Sequence, residues 1–313
     1  MRAAIYRTVG GPEVIEVVDV DVPEPGLSEV RIKVQASAMS YADVGAWSGV
    51  FPAPESGSHY GIGWDIAGVI DAAGEGGTTA LWSPGTPVIA IVQGAVGVSR
   101  AHSEYVIVPT NAVTAAPAGL DPVVASTIPL NGLTAAQSVE LAAIRAGQTV
   151  VVAGAAGGVG SIAVRLAKLR GATVIGLDIP EQENFVIDVA GADSFVPASD
   201  TPTADIRAHW PDGVDAVVNT TTLGQELIGA VKDGGVFVTT RYDTMPTAER
   251  DIRLRATLVA ADAAMLTTLS DLAAAGELPL RVAETYSLEE AAEAYAKFIS
   301  GPVHGRFVLE VAS

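Results

Sequence analysis

The chain has 313 residues, more than one hydrophobic core usually accommodates, so two domains are expected. Hydrophobic residues make up 49% and charged residues 17%, a balance that excludes a disordered chain. A formal net charge of −18 repels nucleic acid and anionic lipid, and the lack of any cysteine excludes disulfides, thiol nucleophiles and thiolate-held metals.

The opening Met1-Arg-Ala-Ala-Ile-Tyr-Arg7 lacks the apolar core of a signal peptide. No apolar run reaches the roughly 18 residues of a membrane span. A cytoplasmic protein is expected. Residues 3–6, 14–20, 30–38, 66–72, 88–92 and 105–108 read as short strands, punctuated by Pro23, Pro25-Gly26, Gly74 to Gly77 and Pro84-Gly85. That spacing predicts a small antiparallel barrel.

The rhythm changes near Leu120. Strands at 149–153, 173–177, 194–196, 214–219 and 236–240 alternate with helical stretches at 159–169, 181–190 and 225–231, the pattern of a doubly wound parallel sheet of Rossmann type. The tail adds an apolar strand at 254–260, helices at 263–275 and 288–299, and a closing strand at 306–311 expected to return to the first domain.

The first strand of the parallel region, Thr149-Val-Val-Val-Ala153, runs into Gly154-Ala-Ala-Gly157-Gly158-Val159-Gly160 and then a helical pattern. Ala155, Gly157 and Gly160 fit the dinucleotide fingerprint with alanine in the first glycine's place. Small residues allow the tight turn, Gly157 admits a pyrophosphate, Gly160 lets the helix approach the strand, and the helix start offers amide N–H groups to phosphate. Gly158 and Val159 belong to that start.

Asp178 stands 18 residues beyond Gly160 at the end of the next strand, where a carboxylate accepts ribose hydroxyls. Glu181 and Glu183 follow, with no Lys or Arg between Gly171 and Arg207. The cofactor is therefore NADH or NADPH, with NADH favoured, because a 2′-phosphate would face carboxylates. Asp178 and Glu181 also suit the start of a helix.

Six stretches together give the chain a strong resemblance to the medium-chain dehydrogenase/reductase superfamily, and within it to the zinc-free quinone oxidoreductase branch. They are Ala36-Ser-Ala-Met-Ser-Tyr-Ala-Asp43, Gly63-Trp-Asp-Ile-Ala-Gly-Val-Ile70, Pro84-Gly-Thr-Pro-Val88, Pro129-Leu-Asn-Gly-Leu-Thr-Ala135, the Ala-Ala-Gly-Gly-Val-Gly loop and Gly305-Arg-Phe-Val-Leu309. The resemblance implies an α/β protein with a GroES-like barrel domain over residues 1–119, a Rossmann dinucleotide domain over 120–262 and a segment over 263–313 that returns to the barrel. It implies a cleft for nicotinamide and substrate, and a homodimer formed through the strand near 254–260.

Zinc-dependent members of that superfamily carry a cysteine near Ser40 and a His-Glu pair near Trp64-Asp65. Here those positions read Ser, Trp and Asp, no cysteine occurs anywhere, and the histidines at 59, 102, 209 and 304 form no converging set of ligands, so no zinc is expected. Without a Lewis acid, donors must polarise the substrate oxygen while reduced nicotinamide supplies hydride, which suits quinones and α,β-unsaturated carbonyls.

By family position Ser40 and Tyr41 are the expected catalytic donors, and Asn131 and Thr134 lie near the nicotinamide. Trp47, Phe51, Tyr60 and Trp64 would line a pocket for a small hydrophobic or aromatic substrate. Asp43 suits a helix cap as well as the cleft wall, and the four aromatics also suit a barrel-edge core. Phe51 stands where many relatives have a tyrosine, so one donor is missing. Two other readings remain open: a non-catalytic dinucleotide-binding protein, and a specialised enzyme acting on one large pathway intermediate.

Overall fold

In a computed structural model describing residues 1–94, 96–301 and 303–311, the strand Glu29–Ala38 alternates half-buried and buried positions along most of its length. That alternation is what a two-faced sheet strand requires, and this strand, β3, organises the first unit. Before it come β1 (Arg2–Tyr6) and β2 (Ile15–Asp19), and after it α1 (Tyr41–Trp47), β4 (Tyr60–Gly61), β5 (Asp65–Ala73), β6 (Pro87–Ile91), β7 (Tyr105–Pro109) and β8 (Val113–Ala115). A short helix α2 (Pro122–Ala125) follows, and α3 (Pro129–Leu141) carries the chain into the second unit.

The second unit takes β9 (Thr149–Ala153), α4 (Gly158–Leu169), β10 (Thr173–Asp178), β11 (Ser194–Pro197), α5 (Pro202–His209), β12 (Val214–Asn219), α6 (Gln225–Ile228), β13 (Val231–Thr239) and β14 (Arg253–Ala256). The chain then returns through α7 (Ala263–Ala274), β15 (Val282–Ser287), α8 (Ala291–Ile299) and β16 (Arg306–Glu310). One compact unit holds Met1–Leu130, Ala260–Ala275 and Leu280–Ser313, and the other holds Asn131–Val259 and Gly276–Pro279.

In the first unit a seven-stranded sheet runs β15-β16-β3-β5-β6-β8, with β7 also pairing β3, and a three-stranded sheet runs β2-β1-β4. The closing strand β16 pairs antiparallel with β3, Val308 opposite Ala38. Tyr6, Met39, Trp47, Tyr295, Phe298 and Phe307 share the core there. The strand β15 escapes sequence reading because its alternate exposed positions give it no apolar run.

In the second unit six strands pair in parallel in the order β11-β10-β9-β12-β13-β14. The order reverses between β9 and β12, and the ends of these two strands flank the crevice where open α/β sheets bind ligands. The expected helix over 181–190 is a 3₁₀ turn at Pro180–Gln182 followed by a π-helix at Phe185–Ala190. The expected helix over 225–231 stops at Ile228, and Val231 already begins β13. The tail strand is shorter than read, ending at Ala256.

Candidate functional site

At the end of β9 the backbone turns on Gly154 at φ +78° and enters α4 through Gly157, an extended N-cap residue that supplies no side-chain cap. The first-turn amides of Gly158, Val159 and Gly160 have no intrahelical acceptor, so they remain to bind an anion. A Cβ on Gly160 would stand 1.9 Å from the Gly154 carbonyl oxygen, so only glycine permits this closure. A Cβ on Gly157 would meet only that same oxygen, at 3.2 Å. Gly160 therefore builds the turn, and Gly157 keeps its outer face bare. These residues fit a dinucleotide pyrophosphate.

Ala155 is fully buried and its amide bonds the Leu177 carbonyl at 3.3 Å, so it shapes the turn from inside. Asp178, half-buried at the end of β10, accepts the Ala156 amide at 2.7 Å and the Ile179 amide at 2.8 Å. Its carboxylate thus stands against the glycine loop, with acceptor capacity left for hydroxyls. Arg241, which follows β13, is paired with Asp243 at 2.7 Å. Asn131 and Thr134 lie one turn apart on α3, Asn131 nearly buried and Thr134 less so.

In the first unit, Ser40 and Asp43 form a reciprocal cap at the start of α1. The Ser40 amide and hydroxyl both donate to Asp43 Oδ2, at 2.7 and 2.8 Å, and the Gly63 amide donates to Oδ1 at 3.1 Å. Asp43 is completely buried, and burial raises its pKa against the pull of Ser40 and Arg100. Tyr41 is 63% exposed and its ring rests on Phe298 with centroids 4.8 Å apart.

Behind this cap lies a chain of buried polar groups. Ser37 Oγ contacts His102 Nδ1 at 2.7 Å, His102 Nε2 contacts the Tyr295 hydroxyl at 2.8 Å, and that hydroxyl interacts with Asp43. Burial and the cations Arg100 and Arg306 push the His102 pKa down to about 3, and burial drives that of Tyr295 well up. Asp65 accepts the Leu130 amide and Arg306 Nη2, both at 2.6 Å, yet burial pushes its pKa up to about 6. Of these, His102 and Tyr295 stand 193 positions apart, so no local pattern marks them as partners.

The aromatic residues divide. Trp47 is 2% exposed and packs edge-on against Tyr295, which corrects its expected place in a substrate pocket: it is core. Trp64 is 8% exposed and lies beneath the Arg100 guanidinium, 4.4 Å from ring centroid to Cζ. Tyr60 meets Tyr6 edge-on, and Phe51 packs on the same core cluster. Arg100 bonds the Gly63 and Gly94 carbonyls.

Zinc does not fit the residues present. At the positions expected to carry ligands, Ser40 is held by Asp43 and Trp64 offers no lone pair. Among the described residues no three His, Asp or Glu side chains converge as a metal site. Also among the described residues, no helix is long and apolar enough to cross a membrane.

The alcohol dehydrogenase GroES-like domain family matches residues 26–118, and the zinc-binding dehydrogenase family matches 190–309. A solved NAD-dependent alcohol dehydrogenase is 30% identical and superposes at TM-score 0.85 over 100% of both chains. An NAD-dependent alcohol dehydrogenase of Sulfurisphaera tokodaii is 29% identical over 99% of each chain. A quinone oxidoreductase of Pseudomonas aeruginosa is 35% identical over 55% of this chain and 50% of its own. The chain belongs to the medium-chain dehydrogenase/reductase superfamily, a superfamily of oxidoreductases built from a GroES-like and a Rossmann-type domain.

Proposed function

We propose that the protein is a zinc-independent reductase that uses NADH or NADPH to reduce a quinone or an α,β-unsaturated carbonyl. One observation carries this reading: Ser40 and Trp64 stand where metal ligands would be needed, each already held by a neighbour, in a chain whose second unit carries an intact dinucleotide turn. The Gly158, Val159 and Gly160 amides would hold the pyrophosphate, and Asp178 the adenosine ribose, with NADH preferred. Reduced nicotinamide would supply the hydride, and Ser40 or Tyr41 the hydrogen bond to substrate oxygen.

Oxidation of NADH and NADPH with a panel of quinones and enones, with and without a chelator, tests this. Turnover unaffected by chelation is expected. A stoichiometric zinc required for turnover ends the metal-free reading, and cofactor binding without oxidation by any acceptor leaves the non-catalytic alternative.

A further inference from the structure

Several side-chain polar atoms that are buried without a hydrogen-bond partner lie on three neighbouring segments of the first unit. They are the Tyr6 hydroxyl, His59 Nε2, Trp64 Nε1, Ser99 Oγ and Arg100 Nη2. Tyr6 pairs with Tyr60 in register, the Gly61 amide donates to the Gly97 carbonyl at 2.8 Å, and the Ala101 amide donates to the Gly63 carbonyl at 3.3 Å. The end of β1, the stretch around β4 and the stretch leading to β7 therefore run side by side. Space is open beside the last of them, since a Cβ on Gly97 would meet no described atom within 4 Å.

Arg100 differs from the other four in carrying a full charge. It is 2% exposed, and the Gly63 and Gly94 carbonyls accept its Nε and Nη1 at 3.2 and 2.9 Å. Its Cζ lies 4.4 Å from the centre of the Trp64 ring, itself 8% exposed. Among the described residues, Asp43 reaches Arg100 through Gly63 and not directly: the Gly63 amide donates to Asp43 Oδ1, and the Gly63 carbonyl accepts from Arg100. A guanidinium and an indole N–H are donors without acceptor capacity. The two unmet positions of this stacked pair, Arg100 Nη2 and Trp64 Nε1, call for an acceptor, and beside a buried cation an anionic oxygen gains most.

We propose that Arg100, with Trp64 Nε1 beside it, binds a carboxylate of the substrate, so that the acceptors of this protein are conjugated carbonyl compounds carrying a carboxylate. The substrate half rests on the reductase reading above. Ser40 belongs to the same polar group, because its hydroxyl and the Gly63 amide meet on the Asp43 carboxylate. A small keto acid would present its carbonyl oxygen to Ser40 and its carboxylate to Arg100. Asp43 has its oxygens turned to Ser40 and to the Gly63 amide, which leaves Nη2 to the ligand. A net charge of −18 repels anions from the molecule at large, so the preference comes from this local cation and is lost with it.

Equilibrium binding reads the site without turnover. The saturated keto acid β-benzoylpropionate and its methyl ester are titrated calorimetrically against the protein with NAD bound. The wild type should bind the acid tenfold or more tighter than the ester. Arg100→Met, which keeps a long side chain against the Trp64 ring, should bring the two within about twofold, and Arg100→Lys should restore a preference for the acid. Trp64→Phe keeps an aromatic face under Arg100 but removes the indole N–H, and should reduce the preference. Damage to packing weakens acid and ester alike, so their ratio reports the charge contact.

Equal affinity for acid and ester in the wild type would mean that water alone meets Nη2, and overturns the site, as does an acid preference that survives Arg100→Met. Chloride that displaces the acid at equal concentration makes this a site for inorganic anions and overturns the substrate assignment. In turnover, β-benzoylacrylate should exceed its methyl ester tenfold or more in kcat/KM. A wild type that reduces both equally overturns the assignment and leaves the reductase reading standing. A wild type that binds the keto acid yet oxidises NADH and NADPH with no acceptor overturns the assignment together with the reductase reading, while the carboxylate site at Arg100 stands.

Discussion

The two glycines of the dinucleotide turn do different physical work, and substitution should separate them. Gly160→Ala forces a methyl group into the Gly154 carbonyl, 1.9 Å away, and should lower stability by about 2 kcal/mol or more. Gly157→Ala meets its nearest atom at 3.2 Å in a backbone conformation open to any residue, so folding should change by well under that while NADH affinity falls. Thermal melting beside calorimetric titration distinguishes them, and equal loss of stability in both would contradict this division. Asp178 is the second residue to test. Its carboxylate sits against the loop, and a 2′-phosphate brought to about 4 Å would oppose it by up to roughly 4 kcal/mol before screening. Asp178→Ser should shift the ratio of kcat/KM values toward NADPH by tenfold or more, whereas an unchanged ratio would mean Asp178 does not face the ribose.

At the scale of elements, the buried polar groups tie together segments distant in sequence. Arg306, at the start of β16, bonds the Met39 carbonyl just after β3 at 2.9 Å and the Asp65 carboxylate that opens β5 at 2.6 Å. Arg306→Ala leaves Asp65 buried without its cation and should cost about 3–5 kcal/mol in urea denaturation, whereas replacing both partners by apolar residues should recover much of it. His102 gives a pH dependence of fixed sign. Its pKa falls from 6.5 to about 3 on folding, so the unfolded chain binds the proton first, and its contribution is lost as pH drops below 6.5. Asp65 acts oppositely, since its pKa rises from 3.8 to about 6 and its protonation favours the fold as pH falls through that window. A His102→Gln protein should be the less stable at pH 7 and should close about 2 kcal/mol of that gap by pH 5, the worth of about 1.5 pH units below 6.5. A gap that does not narrow would mean His102 is already charged in the fold.

Over the whole molecule, β14 is an edge of the parallel sheet, and its unpaired backbone groups offer a template for another strand. Family habit makes this the expected dimer contact. Sedimentation equilibrium should give twice the chain mass, and a single-chain mass at all concentrations would exclude the dimer. The fold was broadly legible: the closing strand does pair with β3, and the parallel strands fall close to where valine-rich runs placed them. Legibility failed where packing decides the outcome. Trp47, read as a pocket wall, is core because α8 brings Tyr295 against its ring.

The glycine turn, its strand and helix, the acidic residue after β10 and the missing thiols follow from sequence alone, because each is a local requirement on backbone, periodicity or composition. The buried polar chain of the first unit does not. It depends on Ser37, His102 and Tyr295 meeting across three separate stretches of chain, with water excluded from all of them. Hydrogen-bond partners can be assigned only after tertiary packing has brought the groups together and removed the solvent that would otherwise compete for them.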